Sequence, residues 1–259
     1  GWARWEATMA GCMMPATELM FTLAGVDAGS RMLDLACGAG SQTLLSARKA
    51  GPRGRVVAND ISDTMLGHMR EKARAAGLNN VSTLPGPSED LDVDAGAFDA
   101  VICHLALMLF ASPGKALANA RRGLRPGGKA AVVVFTTTET NPFMARPMEI
   151  LLRHAGKTPP APGQPGVFAL GIPGKMERLF TDCGFVNVNQ RILSVPLRKP
   201  SATEASAMMQ DAFGAYRAVV SDCPENVRTA AWAVRFPLRV CSIHSLPFST
   251  VNSTSCMSR

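Results

Sequence analysis

The segment Asp34-Leu35-Ala36-Cys37-Gly38-Ala39-Gly40 joins an acid to a glycine-rich turn. Glycine at a strand-to-helix turn lets a ligand come close to the backbone. A helix that starts there presents its first N–H groups and the positive end of its dipole to a carboxylate or another anion. Asp60 follows Gly40 by 20 residues, at the end of the next apolar run. An acid so placed can accept hydrogen bonds from both hydroxyls of a ribose. Proteins that bind dinucleotides share both features. Position 43 separates the two cases: the fingerprint Gly-x-Gly-x-x-Gly calls for glycine or alanine there, and this chain has Thr43.

The elements that must position these residues follow from the apolar pattern. Residues 31–36 form a short apolar run, expected as a buried strand. Residues 41–50 are expected as a helix, stopped by Gly51-Pro52. Residues 55–60 form the second strand. Ser62 is a suitable N-cap, and Met65, Leu66, Met69, Ala73 and Ala76 recur at helical spacing until Gly77. Further strands are expected at 81–84, 98–103 and 130–135, with a helix that starts at Ser112-Pro113 and breaks at Pro126-Gly127-Gly128. Alternating strands and helices predict an α/β fold, with a mostly parallel sheet and helices on both faces. Ligands bind beyond the carboxyl ends of such strands. That rule gathers residues 36–40, Asp60, the segment after Leu84 and the segment after Cys103 around one crevice.

Beyond residue 140 the pattern changes. Residues 142–154 look helical, 158–174 form a proline- and glycine-rich loop of the lid type, and 176–183 a short helix. Residues 186–197 are expected as a strand, and 202–220 and 225–234 as helices. The division expected is an N-terminal helical cap over 1–30, a ligand-binding core over 31–140, a substrate-covering part over 141–235 and an atypical tail over 236–259. The tail is not expected to close the sheet. Leu238, Val240 and Ile243 are out of step, Pro237 and Pro247 remove ladder donors, and 249–258 is mostly polar. The sheet edge beside 186–193 would then be open.

Composition bounds the possibilities. Hydrophobic residues make up 47% and charged residues 18% of 259, which describes a folded domain rather than a disordered chain. No apolar run reaches the roughly 18–20 residues needed to span a bilayer, and no secretory signal is evident. Gly1 in place of an initiator methionine is expected of a processed or truncated end. The seven cysteines include no Cys-x-x-Cys pair, so neither a zinc site nor a disulfide framework is expected; a reducing, cytoplasmic setting is. The net charge of +7 is dispersed over predicted helix surfaces, at Arg48, Lys49, Arg53 and Arg55 and again at Arg121, Arg122 and Arg125, as solvated faces are. His68 and His154 fall in predicted helices and His244 in the tail. Only His104 stands at the end of a strand beside the crevice.

Residues 32–40, 54–66, 98–110 and 124–135 together resemble the small-molecule branch of the class I S-adenosylmethionine-dependent methyltransferases, near the ubiquinone/menaquinone-biosynthesis type. Asn141-Pro142-Phe143, residues 165–170 and Cys183-Gly184-Phe185 are similar to that group as well. The resemblance implies a Rossmann-like, doubly wound sheet with a helical substrate-covering part. It implies S-adenosyl-L-methionine as cofactor and a small organic molecule as methyl acceptor. Asp34, Ala36, Cys37, Gly38, Ala39 and Gly40 would hold the methionine end. Asp60 would bind the ribose, in which case its removal should leave folding almost unaffected, and Ile61 would pack on adenine. Ser88 would offer its backbone N–H to the adenine edge, with Glu89 beside it. His104 and Leu105 would border the sulfonium, with His104 the candidate general base. Pro87 stands where the family usually has aspartate, which removes one contact to the adenine amine.

Two other classes share part of the pattern. Nucleic-acid amino-methyltransferases carry an Asn/Asp-Pro-Pro-aromatic turn after the fourth strand, where this chain has Cys103-His104-Leu105-Ala106. A non-catalytic scaffold that binds cofactor would also show the glycine turn and Asp60, and acceptor turnover separates it from an enzyme.

Overall fold

The structure is a computed structural model that describes residues 2–161, 163–197, 201–233 and 244–255. The chain opens with a long helix α1 (Trp2–Ala24), which carries Pro15 in its interior. Five strands and three helices follow: β1 (Arg31–Leu35), α2 (Ser41–Ala50), β2 (Arg55–Asp60), α3 (Asp63–Ala75), β3 (Val81–Pro85), β4 (Phe98–His104), α4 (Pro113–Gly123) and β5 (Leu124–Phe135). The second half contains α5 (Pro142–His154), α6 (Lys175–Asp182), β6 (Phe185–Leu197), α7 (Ala202–Ala212), α8 (Gly214–Val220), α9 (Glu225–Ala233) and β7 (His244–Ser255).

Local chemistry accounts for several boundaries. Ser62 accepts from the Met65 N–H at 3.3 Å and so caps α3. Leu66, Met69 and Ala73 then fall on one buried stripe, and Gly77 leaves the helix with φ 66°. Pro113 opens α4, where a missing N–H costs nothing, although the Ser112 side chain makes no capping bond. The helix expected over 202–220 is two helices. Phe213 is extended between them, and Gly214, a poor helix former, begins the second.

The strands form one sheet in the order β3-β2-β1-β4-β5-β7-β6. The first five are parallel, and β7 runs antiparallel to both neighbours. The direction of build-out reverses between β1 and β4. Right-handed crossovers therefore place α2 and α3 on one face and α4 on the other. The reversal also opens a crevice beyond the carboxyl ends of β1 and β4. One apolar core runs through the sheet and includes α1, with Trp5, Met13 and Met20 buried. A smaller cluster of Cys37, Ala58, Leu66, Met69 and Ala73 lies under α3.

Two further expectations are corrected. β5 begins at Leu124 rather than 130, because the Pro126-Gly127-Gly128 segment is taken up in an irregularity of the β4–β5 ladder between Phe98 and Ala100. More important, the tail does supply a strand. β7 lies between β5 and β6, pairing Val132 with Val251 and Ile192 with Ser249. The expectation failed because a strand with a ladder on each side is held by backbone hydrogen bonds, which do not require alternating apolar residues. Thr250, Val251 and Thr254 are also β-branched. Pro247 is accommodated because pairing to β5 starts only at Phe248, so that among the described residues Pro247 pairs with β6 alone. The remaining tail residues named in the expectation, including Pro237, Leu238, Val240 and Ile243, lie outside the described residues.

The segments above the sheet are tied to it and to each other. Trp5 Nε1 donates to Asp211 Oδ2 at 2.9 Å, joining α1 to α7. The buried Tyr216 hydroxyl donates to the Met144 carbonyl at 2.8 Å, joining α8 to α5. The 158–174 loop is anchored through its second half. Gly166 N–H donates to Met108 O, Phe168 packs edge-on to Phe135, and Gly171 sits so close to Thr136 that a Cβ would lie 2.3 Å from its carbonyl oxygen.

Because Ser249–Asn252 is flanked by β5 and β6, its amides should exchange with deuterium as slowly as those of Val132–Val134. Exchange as fast as that of residues 158–161 would show that β7 is not paired.

Candidate active site

The site is built on the turn after β1. Ala36 has φ 51° and Leu105, after β4, has φ 57°, a region that costs a non-glycine residue energy. They follow β1 and β4, the two strands between which the strand order reverses. Gly40 has φ 85°, and a Cβ there would lie 2.1 Å from Met69 Cγ. The glycine is therefore required twice, for its backbone conformation and for the close approach of α3 to the turn.

Asp60 ties the turn to the next strand. Its carboxylate accepts the Gly38 N–H at 2.8 Å and the Ser62 N–H at 2.8 Å. Gly38 belongs to the glycine turn and Ser62 caps α3, so one side chain fixes both. Its neighbour Asn59 links β2 to β3: Nδ2 donates to the carbonyls of Leu84 and Gly86, and Oδ1 accepts the Ser88 hydroxyl at 2.6 Å. Ser88 itself is buried in a short 3₁₀ turn, Ser88–Asp90, that Pro87 introduces. Asn119 on α4 donates to the Glu89 carbonyl at 2.8 Å and holds this turn from the other side. The Glu89 carboxylate accepts the Ser112 N–H at 3.4 Å, so its nearest partner is the start of α4.

Asp34 is buried at the floor. Thr43 donates its hydroxyl proton to Asp34 Oδ2 at 2.6 Å. Burial pushes the Asp34 carboxyl up to about 7, the Thr43 hydrogen bond opposes that rise and the nearby Asp60 charge adds to it. Thr43, which stands at the third position of the glycine pattern, is thus the partner of the acid at its start. Cys37 is no nucleophile: burial, then the charges of Asp34 and Asp60, push its thiol well above the ordinary range, and its S–H is directed to the Gly38 carbonyl.

A pocket of about 310 Å³ opens over this floor. Asp34, Ala36, Cys37, Gly38 and Ala39 line one side and His104 and Leu105 another, while Met9, Ala10 and Met13 of α1 form a third wall. Ser41, Gln42 and Met65 complete it, and no lysine or arginine is among its described lining residues. Gly40, Asp60, Ile61, Ser88 and Glu89 do not line this pocket. Gly40 and Asp60 shape its floor from behind. Ile61 follows Asp60 and is an exposed apolar side chain, 76% accessible. His104 is half-buried, and enclosure lowers its imidazole to about 4, so the ring is neutral at physiological pH. Its Nε2 lies 3.5 Å from the hydroxyl of the buried Thr17 on α1.

Asn59, Thr17, Gln42 and Asn119 went unnoticed in the sequence because their roles depend on segments distant in the chain. Asn59 alone carried a usable signal, as a polar residue inside an otherwise apolar strand. Among the described residues no group of His, Cys, Asp and Glu could hold a metal ion, and no helix is long and apolar enough to cross a membrane.

Removing the Asp60 side chain should cost more than ligand affinity, contrary to the expectation from sequence. Asp60→Ala strips the partners from two N–H groups, and a hydrogen bond to a charged group contributes about 1.5–3 kcal/mol. Urea unfolding should show a loss of that order, and an unchanged midpoint would refute the bracing role.

Residues 32–128 match the family model described as a methyltransferase domain. The chain is 33% identical over 175 residues to the ubiquinone/menaquinone biosynthesis C-methyltransferase UbiE of Cronobacter sakazakii, covering 64% of this chain and 70% of that protein. It is 38% identical over 120 residues to the protein of the same name from Pasteurella multocida; there the match spans less than half of either chain, 46% of this one and 45% of the relative. Among solved structures, the YcgJ protein from Bacillus subtilis superposes with a TM-score of 0.63 at 18% identity, over 95% of this chain and 100% of that one.

Proposed function

Because the chain belongs to the class I S-adenosylmethionine-dependent methyltransferases, we propose that it transfers the methyl group of that cofactor to a small organic acceptor. The observation that carries this reading is the floor of the pocket. A buried carboxyl, Asp34, is paired to Thr43, and no described cation lines the walls. A ligand with an ammonium and a sulfonium centre suits such a site. A pyrophosphate does not, since the hydroxyl of Thr43 is spent on Asp34. The donor set fits the rest of the group as well: Gly38 to Gly40 for the amino-acid end, Asp60 for ribose hydroxyls, Ile61 for one face of adenine and the Ser88 N–H for its edge. The residues Ala36, Cys37, Ala39, Glu89 and Leu105 would complete that contact surface.

When bound, the cofactor supplies an already activated methyl group, so the protein mainly has to align an in-line attack and keep water out. Met9, Ala10 and Met13 of α1 close the pocket over the turn. The constrained backbone at Ala36 and Leu105 holds the two strand ends at a set spacing. His104 stands at the border with the acceptor. Its low pKa supports a neutral hydrogen-bonding role more than proton abstraction, because a base this weak gains little by taking a proton. The acceptor pocket would be formed by α1, the 158–174 loop and the helices after residue 200, the cap and covering parts expected from sequence. Among the described residues Cys37, Cys103, Cys183 and Cys223 are thiols outside any disulfide, which supports a reducing, cytoplasmic setting.

Calorimetry should show binding of S-adenosylmethionine and none of NADH; the reverse order would overturn the reading. A mass-spectrometric screen that includes 1,4-dihydroxynaphthalene and simple carboxylic acids should then show one methyl mass gained by an acceptor. Cofactor binding with no turnover of any acceptor would favour a scaffold.

Cofactor affinity should also depend on pH through Asp34. With its pKa raised to about 7, the group is largely protonated below that value and cannot attract a cation. Affinity should rise with pH by up to about tenfold per unit below 7 and level off above it. Asp34→Asn should flatten the profile at the low value, and a wild-type affinity constant from pH 6 to 8 would exclude Asp34 as the ligand's partner.

A further inference from the structure

Three side chains from three elements meet behind the pocket. Thr17 on α1 is 1% exposed. Its Oγ1 accepts from Gln42 Nε2, in the first turn of α2, at 3.4 Å. The same oxygen lies 3.5 Å from His104 Nε2, at the end of β4. Gln42 and His104 both line the pocket, and Thr17 stands behind them.

The chemistry of the three groups sets the direction of the chain. A carboxamide nitrogen only donates, and a hydroxyl has a single proton to give. Gln42 donates to the Thr17 oxygen, and among the described residues His104 Nε2 is the one partner left to accept the proton of this buried hydroxyl. Nε2 is then the accepting nitrogen, and a neutral imidazole must carry its own proton on Nδ1. Nδ1 has no hydrogen-bond partner among the described residues. An isolated histidine prefers the opposite tautomer, with the proton on Nε2, so the arrangement reflects the protein and not the ring.

We propose that Thr17 is a positioning residue. By pairing with Nε2 it holds His104 as the Nδ1–H tautomer and leaves that N–H as the hydrogen-bond donor to an oxygen of the methyl acceptor. The acceptor class this selects bears a carbonyl, carboxylate or hydroxyl oxygen next to the atom that receives the methyl group. Because Thr17 belongs to α1, the tautomer is correct only when α1 is docked, which couples closure of the pocket to readiness of the site. The identity of the ligand rests on the methyltransferase reading, whereas the tautomer does not.

The test is nitrogen-15 NMR of the histidine side chains of the full chain, with the His104 signals assigned by their loss in His104→Gln. Wild type should show a protonated-type shift at Nδ1 and an unprotonated-type shift at Nε2. Thr17→Val, which keeps the shape and removes the hydroxyl, should move His104 toward the Nε2–H form, and Thr17→Ser should restore the wild-type pattern. Calorimetry with S-adenosylmethionine should give a dissociation constant within about threefold of wild type for both variants, since a positioning residue for the acceptor does not hold the cofactor. An Nε2–H signature in wild type, or a Thr17→Val spectrum identical to wild type, would overturn the proposal. Should Thr17→Val fail to fold, the wild-type and Thr17→Ser spectra still decide. Failure of S-adenosylmethionine to bind a protein that shows the expected tautomer would overturn the functional reading and leave the tautomer assignment standing.

Discussion

The site depends on the carboxylate of Asp60. It accepts one N–H from the glycine turn after β1 and one from the residue that caps α3. Those segments come from different βα units and have no covalent reason to lie together. A charged acceptor between two backbone donors fixes their separation more firmly than apolar packing alone, because each bond is directional and charge-assisted. The tight approach of α3 to Gly40, with Met69 occupying the place of a Cβ, follows from the same alignment. A residue that by position reads as a ribose ligand is also the brace that keeps the cradle in shape.

Around that brace, the structure separates charge by depth. Asp34 lies at the floor, where burial raises its carboxyl toward neutrality, and Thr43 offsets part of that cost. His104 lies at the wall, where enclosure keeps its ring neutral. The two shifts have one origin, the low polarity of a crevice covered by α1, yet they act in opposite directions because one group is an acid and the other a base. The floor therefore carries an acid held near neutrality and the wall an uncharged imidazole. The long helix, which walls the pocket, is thus part of the electrostatics as well as the shape.

How much of this was legible in the chain depends on the range of the interaction concerned. The α/β order, the strand and helix boundaries near Ser62, Pro113 and Gly77, the glycine turn and the acid at the end of β2 were readable, because capping, helical periodicity and turn conformation are decided by residues within a few positions of one another. The departure at position 43 was readable as a sign against dinucleotides, although its reason, a bond to Asp34, was not. Only the tertiary structure decided that β7 inserts between β5 and β6, since a strand with neighbours on both sides is held by backbone groups that every residue carries and that no side-chain pattern announces. The same holds for Asn59 bridging β2 to β3, and for Thr17 meeting His104 across 87 residues of chain. A side chain's partner across such a distance is set by how helices and strands pack, and packing is a property of the folded whole.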